Sequence, residues 1–378
     1  MSALEGDRAW MLRALELAAR GRGGTSPNPL VGALILRNGE VLGEGWHHRA
    51  GKPHAEVEAL AGSGDVRGAT MYVTLEPCCH QGRTGPCTKA VIAAGIARVV
   101  VAALDPNPLV AGKGVAELRA AGIAVEAGVC ESEARALNRV FDKWIVTRLP
   151  WLTLKLATSL DGRIAARTGA STTVTGSASM KRVQAMRAAA DAVMVGRVTA
   201  QIDSPRLTVR DVTAVPNAEF LPPWRVVVDS QLRTPIDAPV FAAGSPGAIV
   251  ATALPLDDAR ALALLARGVR VLSLPAVSPA ADAGLPGPAG RVDLAALLST
   301  LGGHTTPTTS ILCEGGGVLA ASLLAARLVD ELVLMVAPKV FGAHGVAAVG
   351  PLARTLEGFR LDSLERLDED VVLTYRST

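Results

Sequence analysis

The chain has 378 residues and a nearly balanced charge, with 38 Lys and Arg against 35 Asp and Glu and a formal net charge of +3. At this length two domains are expected, because one hydrophobic core seldom organises more than about 250–300 residues. An aromatic fraction of 3% and the lack of a long run of like charges argue against a nucleic-acid-binding protein. We therefore expect small-molecule partners.

The N-terminal sequence MSALEGDRAW lacks a basic region followed by an apolar one, and no stretch of 18 apolar residues follows. These features predict a cytoplasmic protein without a membrane partner. An odd number of cysteines argues against a disulfide framework, and three of the five lie within ten residues: Cys78, Cys79, Cys87, Cys130 and Cys313.

The first part of the chain alternates between strand and helix patterns after a helix predicted over 7–20. Asn38-Gly39 predicts a tight hairpin, since both residues tolerate positive φ. The pattern predicts strands over 31–36, 41–45, 71–75, 98–104 and 123–127, and helices from about residues 54, 87, 112 and 131. This alternation is typical of a three-layer α/β domain.

Pro150 disfavours helix in the residue before it, so we place the domain boundary between residues 147 and 148. A second alternating unit is predicted from there to residue 378. Its expected helices are 177–189 and 318–326, and its expected strands are 151–157, 192–196, 224–228, 248–251, 309–313, 331–337, 361–367 and 371–375. The Pro- and Gly-rich segment 274–290 reads as an exposed loop.

The strongest chemical signal is His54-Ala55-Glu56 followed by Pro77-Cys78 and Cys87. One imidazole and two thiolates suit tetrahedral Zn²⁺, and three protein ligands leave a fourth position for water, as in catalytic zinc sites. Glu56, two residues after His54, is placed to shuttle protons beside the metal. The pattern meets the H-x-E and P-C parts of the zinc-deaminase signature.

Eight residues separate Cys78 from Cys87, where the general signature has two. Buried cysteines near an unrelated histidine remain an alternative, although that would explain neither Glu56 nor Pro77. Cys79 is expected to be a packed free thiol, and His80 is a rival ligand that would fill the water position.

Two flanking segments belong to the same region of the sequence. Asn28 lies in an Asn-Pro turn and offers an amide to a heterocycle edge, or else only forms the turn. His47, His48, Arg49 and Lys52 form a polar cluster that suits a phosphate, or else a solvated loop.

The second half contains no G-x-G-x-x-G after a strand, so the Rossmann fingerprint is absent. It does contain Glu314-Gly315-Gly316-Gly317 between a predicted strand and a predicted helix. Glycines there allow the backbone to approach a pyrophosphate at a helix N-terminus. A glycine-rich turn without a ligand is the alternative.

The order of these motifs resembles the bifunctional riboflavin-biosynthesis deaminase/reductase family. The resemblance rests on TSPNPLVG, GEGWHHRAGKPHAEVEAL and GATMYVTLEPCCHQGRTGPC in the first half, and on LKLATSLDGRIA, DSPRLTVR and CEGGGVLAASLL in the second. It covers nearly the whole chain and is weakest at 211–223 and 255–305. The eight-residue gap between the cysteines is a variant of that family.

For residues 1–147 the resemblance implies a cytidine-deaminase-like α/β/α fold that removes the 2-amino group of a phosphoribosylamino diaminopyrimidinone. Zinc would be held by His54, Cys78 and Cys87, with Glu56 as the proton shuttle. Residues 148–378 would form a dihydrofolate-reductase-like α/β domain that uses NADPH to reduce the ribosyl group to a ribityl chain.

The resemblance also assigns positions in the second domain. The substrate contacts it implies are Ser171, Arg187, Leu207, Arg210 and Glu314, of which the two arginines suit a phosphate clamp. Lys155 is a candidate for polarising the sugar carbonyl. The cofactor positions it implies are Ala157, Thr173, Thr199, Asp203, Ser230, Gly316, Gly317, Val318, Leu319, Ala320, Ala321 and Ser322.

Two other functions stay open at this point: a nucleoside or tRNA-base deaminase with an unrelated second domain, and a zinc module in which the metal only supports folding. The absence of a basic stripe argues against an RNA substrate.

A homo-oligomer formed through the second domain is expected. The spacing of the residues does not identify a contact for the 2′-phosphate that distinguishes NADPH from NADH.

Overall fold

The structure is a computed structural model and describes residues 3–81, 85–169, 171–210, 220–244, 246–277, 290–349 and 356–378. The chain divides after Arg148 into two compact units, except that residues 220–221 group with the first. Most of the loop predicted at 274–290 lies outside the described residues. No helix in the described ranges is long and apolar enough to cross a bilayer.

The first unit is built on a five-stranded sheet of order β2-β1-β3-β4-β5, in which β3, β4 and β5 are parallel. Its strands are β1 (Gly32–Arg37), β2 (Glu40–Trp46), β3 (Thr70–Val73), β4 (Arg98–Val101) and β5 (Ala124–Ala127). Its helices are α1 (Ala3–Ala19), α2 (Ala55–Ala61), α3 (Cys87–Ala93), α4 (Lys113–Ala120) and α5 (Glu131–Thr147).

Helices cover both faces of this sheet. Met11 of α1 and Phe141 of α5 share one buried cluster with Leu34, whereas Ala55 of α2 and Leu118 of α4 share another with alternate strand residues. The unit is therefore the three-layer α/β/α arrangement that the alternation of elements predicted.

Two turns or close approaches in this unit depend on particular residues. Asn38 and Gly39 have φ of 51° and 80° and connect β1 to β2, which confirms the predicted hairpin. A Cβ on Gly45 would lie 2.4 Å from the Ala59 nitrogen, so the glycine lets α2 lie directly on β2. This close packing sets the position of the start of α2.

The second unit contains a nine-stranded sheet of order β11-β10-β9-β8-β14-β6-β15-β18-β17. Pairing is parallel from β11 to β15 and antiparallel at β15/β18 and β18/β17. The strands of this sheet are β6 (Trp151–Ser159), β8 (Ala192–Gly196), β9 (Trp224–Val228), β10 (Ala248–Thr252), β11 (Arg270–Ser273), β14 (Ser310–Cys313), β15 (Glu331–Ala337), β17 (Phe359–Leu367) and β18 (Asp370–Ser377).

Two short ribbons and five α-helices complete the described part of the unit. The ribbons pair β7 (Arg163–Ala165) with β16 (Val346–Ala347) and β12 (Ala276–Val277) with β13 (Arg291–Val292). The helices are α6 (Ser177–Ala189), α7 (Arg197–Ile202), α8 (Ala259–Ala266), α9 (Leu294–Gly302) and α10 (Gly317–Ala325). The sequence pattern had predicted the strands of the sheet except β11, but none of the ribbon strands and none of α7, α8 and α9.

Candidate active sites

Three side chains meet at one edge of the first sheet. His54 is the residue before α2, Cys78 follows β3, and Cys87 is the first residue of α3. The His54 Nδ1 atom lies 3.1 Å from Cys87 Sγ and 3.5 Å from Cys78 Sγ, and the three ligand atoms all fall within 4.8 Å of one another. The structure therefore brings together the group that the sequence predicted.

These separations fit a zinc ion. With Zn–N near 2.05 Å and Zn–S near 2.3 Å, tetrahedral angles place the nitrogen about 3.5 Å from each sulfur. The two observed distances, 3.1 and 3.5 Å, are close to that value. No fourth residue joins the group among the described residues, so the donor set is one imidazole and two sulfurs.

Backbone contacts hold the two cysteine segments together. The amide of Cys87 donates to Cys78 Sγ at 3.4 Å, and the amide of Thr88 donates to the Cys78 carbonyl at 3.2 Å. The hydrogen bond between the thiols lowers the pKa of Cys78 and raises the pKa of Cys87. One of the two ligands is thus favoured as a thiolate, which is the form that binds metal.

Glu56 lies in the first turn of α2, two residues after His54, and only 3% of it is exposed. Burial raises the pKa of its carboxyl to about 7, and the nearby His54 opposes this shift. A carboxyl with a pKa near neutrality exchanges protons readily in both directions. Glu56 is therefore suited to moving protons in the pocket that it lines.

The pocket beside the triad has a volume of about 360 Å³. It is open to the side chains of Glu56, His54 and Cys78, and aromatic residues of α5 form part of its wall. The remaining wall comes mainly from the segments around residues 27–31, 75–80 and 105–107. Its size suits a single heterocycle with its substituents.

Asn28 and His47 both lie in this pocket and contact each other. The Asn28 Nδ2 atom is 3.0 Å from His47 Nε2, and His47 Nδ1 is 2.9 Å from the carbonyl of Pro53. Burial lowers the pKa of His47 to about 4, so the ring is neutral, with its proton on Nδ1 if Asn28 donates to Nε2. His47 thus fastens the residue before His54 instead of presenting a cation to a phosphate.

Glu76 was not singled out from the sequence, yet it organises this pocket. It is 3% exposed and accepts hydrogen bonds from the amides of Gly112, Val115 and Asp105 at 2.8, 3.0 and 3.2 Å. These bonds fix the segment carrying Cys78 to the start of α4. The only sequence signal was its position directly before Pro77-Cys78.

Asp105 is the second carboxylate of the pocket that the sequence did not mark as a site. It is 8% exposed, and burial raises its pKa to about 6. His80 lines the same pocket with a buried Nδ1 that has no hydrogen-bond partner among the described residues. His80 is not in the metal group, and Cys79 is a half-buried thiol with a pKa raised by desolvation.

The second unit has a larger pocket, with a volume of about 860 Å³. It lies at the carboxyl ends of β8, β9 and β14, where ligands bind in open parallel sheets. The positions implied for the cofactor that line it are Thr199, Asp203, Ser230, Gly316, Gly317, Val318, Leu319 and Ser322.

The other four implied cofactor positions do not line the pocket. Ala320 and Ala321 are fully buried within α10. Ala157 is in β6, in register with Met335, and the backbone carbonyl of Thr173 accepts a bond from Lys339 Nζ at 3.0 Å.

The glycine-rich turn lies where β14 passes into α10. A Cβ on Gly317 would lie 2.7 Å from the carbonyl of Ala347, and one on Gly316 would lie 3.1 Å from Thr199 Oγ1. Side chains would fill this cradle at the start of α10. The first amides of that helix favour an anion, so the residues fit a dinucleotide pyrophosphate.

Arg187 of α6 pairs with Glu314 at the end of β14. Arg187 Nε and Nη2 donate to the two carboxylate oxygens at 2.6 and 2.9 Å, and Nη1 donates to the Thr208 carbonyl at 3.1 Å. Both side chains are 11% exposed. All three guanidinium nitrogens therefore already have protein partners, which differs from the open phosphate clamp expected from the sequence.

Lys155 of β6 interacts electrostatically with both Glu314 and Arg187. Burial lowers its pKa, Glu314 opposes the shift and Arg187 reinforces it. Lys155 and the pair thus form an electrostatically coupled polar group. A lysine with a lowered pKa in such a group is suited to proton transfer or to polarising a carbonyl.

The resemblance implies three further substrate positions. Leu207 is buried with φ of 54°, and the backbone amide of Arg210 donates to Gln184 Oε1 of α6 at 2.8 Å. Ser171 is exposed and does not line the large pocket.

Comparison with known proteins covers both units. Residues 4–103 match the family described as "Cytidine and deoxycytidylate deaminase zinc-binding region", and residues 150–373 match "RibD C-terminal domain". The riboflavin biosynthesis protein RibD of Aquifex aeolicus is 40% identical over 374 residues, which cover 98% of each chain. That of Escherichia coli is 41% identical over 380 residues, covering 97% of this chain and 98% of the relative.

Solved structures agree over the whole length. RibD of Acinetobacter baumannii (form 1) superposes with a TM-score of 0.87 at 38% identity and 99% coverage of both chains. A deaminase/reductase of Thermotoga maritima gives a TM-score of 0.82 at 30% identity, again with 99% coverage of both. The chain thus belongs to the RibD family of bifunctional riboflavin-biosynthesis proteins, which combine a deaminase with a reductase.

Proposed function

We propose that residues 1–147 deaminate 2,5-diamino-6-(5-phosphoribosylamino)pyrimidin-4-one and that residues 148–378 then reduce the ribosyl group of the product with NADPH. The family carries both activities, with zinc and NADPH as cofactors. The proposal depends on one observation: His54, Cys78 and Cys87 lie close together beside the buried Glu56. A structural zinc site would need no carboxyl group there.

In the first unit, His54, Cys78 and Cys87 would hold the zinc ion. Zinc bound there supplies Lewis acidity that makes a water molecule nucleophilic at neutral pH. The pocket of about 360 Å³ holds the pyrimidine ring. Asn28, fixed by His47, offers its amide to the edge of that ring.

Glu56 carries the protons of this hydrolysis. It accepts a proton from the attacking water and passes it to the ring nitrogen next to the amidine-like carbon. It then takes the second proton from the added hydroxyl and gives it to the departing amine. Water adds to the carbon, the C–N bond breaks, and ammonia and a carbonyl result. The raised pKa of Glu56 suits this task, because the carboxyl must both take and give the proton.

In the second unit, NADPH supplies the hydride and the protein supplies position and electrostatics. The start of α10 receives the pyrophosphate, and Ser171, Leu207, Arg210 and the Arg187–Glu314 pair contact the substrate. Lys155 in its protonated form polarises the carbonyl of the opened sugar, and solvent water supplies the proton for its oxygen. The net change adds one hydride and one proton to the sugar carbonyl.

A pair of variants tests this assignment. Cys87→Ser should lose zinc and deamination, whereas Glu56→Gln should keep zinc and lose deamination by about 10²–10⁴-fold, the range for a general acid–base group. Both variants should still oxidise NADPH, measured at 340 nm, when given the deaminated substrate. Full deamination by Glu56→Gln would remove Glu56 from the mechanism.

The order of the steps is tested by the same absorbance. Given the diamino compound and NADPH, wild type should oxidise NADPH and Cys87→Ser should not. Oxidation by Cys87→Ser would contradict deamination before reduction.

A cytoplasmic location and a homo-oligomer assembled through the second domain stay predictions from the sequence.

A further inference from the structure

Four arginines line the large pocket of the second unit, and two of them, Arg197 and Arg233, lie at the carboxyl ends of β8 and β9. Arg197 is the first residue of α7, directly after β8, and Arg233 lies in the loop after β9. β8 and β9 are adjacent and parallel, so their carboxyl ends lie side by side. Both arginines line the pocket at this edge.

Neutral groups hold these arginines in place. Arg197 Nη1 donates to Gln201 Oε1 at 2.6 Å, and Gln201 Nε2 donates to the carbonyl of Arg233 at 2.7 Å. Arg233 Nη2 in turn donates to Gln231 Oε1. Within the described ranges, neither arginine forms an ion pair, in contrast to Arg187, which is paired with Glu314.

Two of the three carboxylates that line the same pocket accept hydrogen bonds from other groups. Asp229, 1% exposed, accepts bonds from the amide and the hydroxyl of Thr234 at 2.6 and 2.7 Å. Asp293 accepts from two amides at the start of α9, and Asp203 lies at the opposite end of α7 from Arg197. The positive charge of the two arginines is therefore not neutralised by a paired carboxylate.

Ser230 adds a neutral donor at the same edge. Its Oγ accepts a bond from the amide of Val292 at 3.0 Å, which leaves the hydroxyl proton available to donate into the pocket. Two guanidinium groups and one hydroxyl form a donor set suited to a phosphate monoester, which carries a charge of about −1.5 to −2 at pH 7.

The position of this donor set relative to the glycine-rich turn before α10 indicates which phosphate of the cofactor it would bind. β8 lies between β14, which leads into the cradle at Gly316, and β9, which leads into Ser230 and Arg233. A dinucleotide with its pyrophosphate at the start of α10 and its adenosine over β9 would place the adenosine ribose beside the arginines.

We propose that Arg197 and Arg233, together with the hydroxyl of Ser230, bind the 2′-phosphate of NADPH and make this pocket select NADPH over NADH. The inference rests on the proposed reductase function of the second unit. The two guanidinium groups discriminate because NADH offers them only a neutral hydroxyl in place of a charged phosphate, with which they would form charge-assisted hydrogen bonds.

The test is calorimetric binding of 2′,5′-ADP and of 5′-AMP to the full chain, which needs no turnover. Wild type should bind 2′,5′-ADP at least about a hundredfold more tightly than 5′-AMP, since two charge-assisted contacts are each worth about tenfold or more. Arg197→Gln and Arg233→Gln should each lower the affinity for 2′,5′-ADP about tenfold and leave that for 5′-AMP unchanged.

Arg167→Gln is the matched control, because Arg167 lines the same cavity next to β7 and its loss removes the same charge. It should change the affinities for both nucleotides by the same factor. Arg233→Lys should keep part of the selectivity, and circular dichroism should show all variants folded.

Each outcome decides a different claim. Equal binding of the two nucleotides by wild type, or an equal loss for both in Arg197→Gln and Arg233→Gln, would overturn the phosphate assignment and leave the reductase proposal intact. A wild-type protein that binds neither nucleotide and gives no NADPH fluorescence change would overturn both.

Discussion

The two pockets of this protein are built from different kinds of information. In the first unit, four chemically specific side chains lie between His54 and Cys87 and converge on one point. In the second, the wall draws on residues from Ile164 to Ala347, and much of it is backbone and small side chains. One site is a short motif and the other is a surface assembled from the ends of strands.

The contrast follows from what each site binds. A zinc ion requires particular atoms at about 2.0–2.3 Å, so an imidazole or a thiolate cannot be exchanged for most other groups. A dinucleotide is held by amides, helix N-termini and shape, which many sequences supply. We therefore expect the first site to fail abruptly when it is altered and the second to lose function in separable steps.

The largest expected effect is removal of the metal. Chelation of zinc should lower deamination by at least about 10³-fold, because the activation of water is worth several kcal/mol. The reductase step, measured as NADPH oxidation with the deaminated substrate, should be unchanged. Measuring both steps in one chelated sample sharpens the comparison between the pockets.

Restoring zinc to the chelated protein is the control and should restore deamination. If chelation also lowered reduction and zinc restored it, the two sites would not be independent, because the second site would then depend on the metal of the first.

The next effect concerns the ion pair of the second pocket. Glu314→Gln leaves Arg187 and Lys155 as neighbouring cations, and breaking a buried pair costs about 3–5 kcal/mol. Hydrogen exchange should show faster opening of α6 and β14, together with loss of reduction. Deamination and zinc content should stay at the wild-type level.

The double variant Arg187→Met/Glu314→Leu separates the role of the pair in stability from its role in reduction. Removing both charges should recover most of the protection in α6, because an apolar pair of similar size is often neutral or stabilising. Reduction should stay lost. Recovered reduction in this variant would show that the pair serves only the fold.

A smaller effect is expected at Glu76 in the first pocket. Glu76→Gln keeps one acceptor oxygen for three backbone amides and should cost the first unit about 2 kcal/mol of unfolding free energy. Zinc affinity, measured by competition with a chelator, should fall about tenfold, as for other supports of metal ligands. The same substitution at the exposed Glu40 should change neither.

Features that depend on a few chemically specific residues could be predicted from the sequence, whereas features that depend on contacts between distant residues could not. The Asn38-Gly39 hairpin is confirmed, and His54, Cys78 and Cys87 lie together as predicted, because each feature depends on residues whose chemistry admits few alternatives. The role of the three residues as metal ligands stays a prediction. The glycines at 316–317 were also expected to begin a helix after a strand, and they do. Local rules of backbone and ligand chemistry were sufficient for these features.

Other features depend on contacts between distant parts of the chain. β7 pairs with β16 across about 180 residues, and three-residue and two-residue strands carry no periodicity of their own. Glu76 could not be distinguished from a spacer before Pro77, since its partners at 112 and 115 are separated from it by α3, β4 and a loop. The ion pair between Arg187 and Glu314 could likewise not be predicted, because the two residues meet only in the folded chain.

The smallest expected effect is a change in pH dependence that leaves the neutral rate nearly unaltered. Burial and Arg187 lower the pKa of Lys155 from its ordinary value of 10.5. If the protonated amine polarises the sugar carbonyl, reduction is full at pH values below this lowered pKa and is lost as pH rises through it. The loss should therefore begin at a lower pH than for an ordinary lysine. Lys155→Arg, which stays charged to much higher pH, should abolish that alkaline limb in a profile of kcat for NADPH oxidation. An alkaline limb that persists at the same pH in Lys155→Arg would assign the titration to another group and leave Lys155 with a purely structural role.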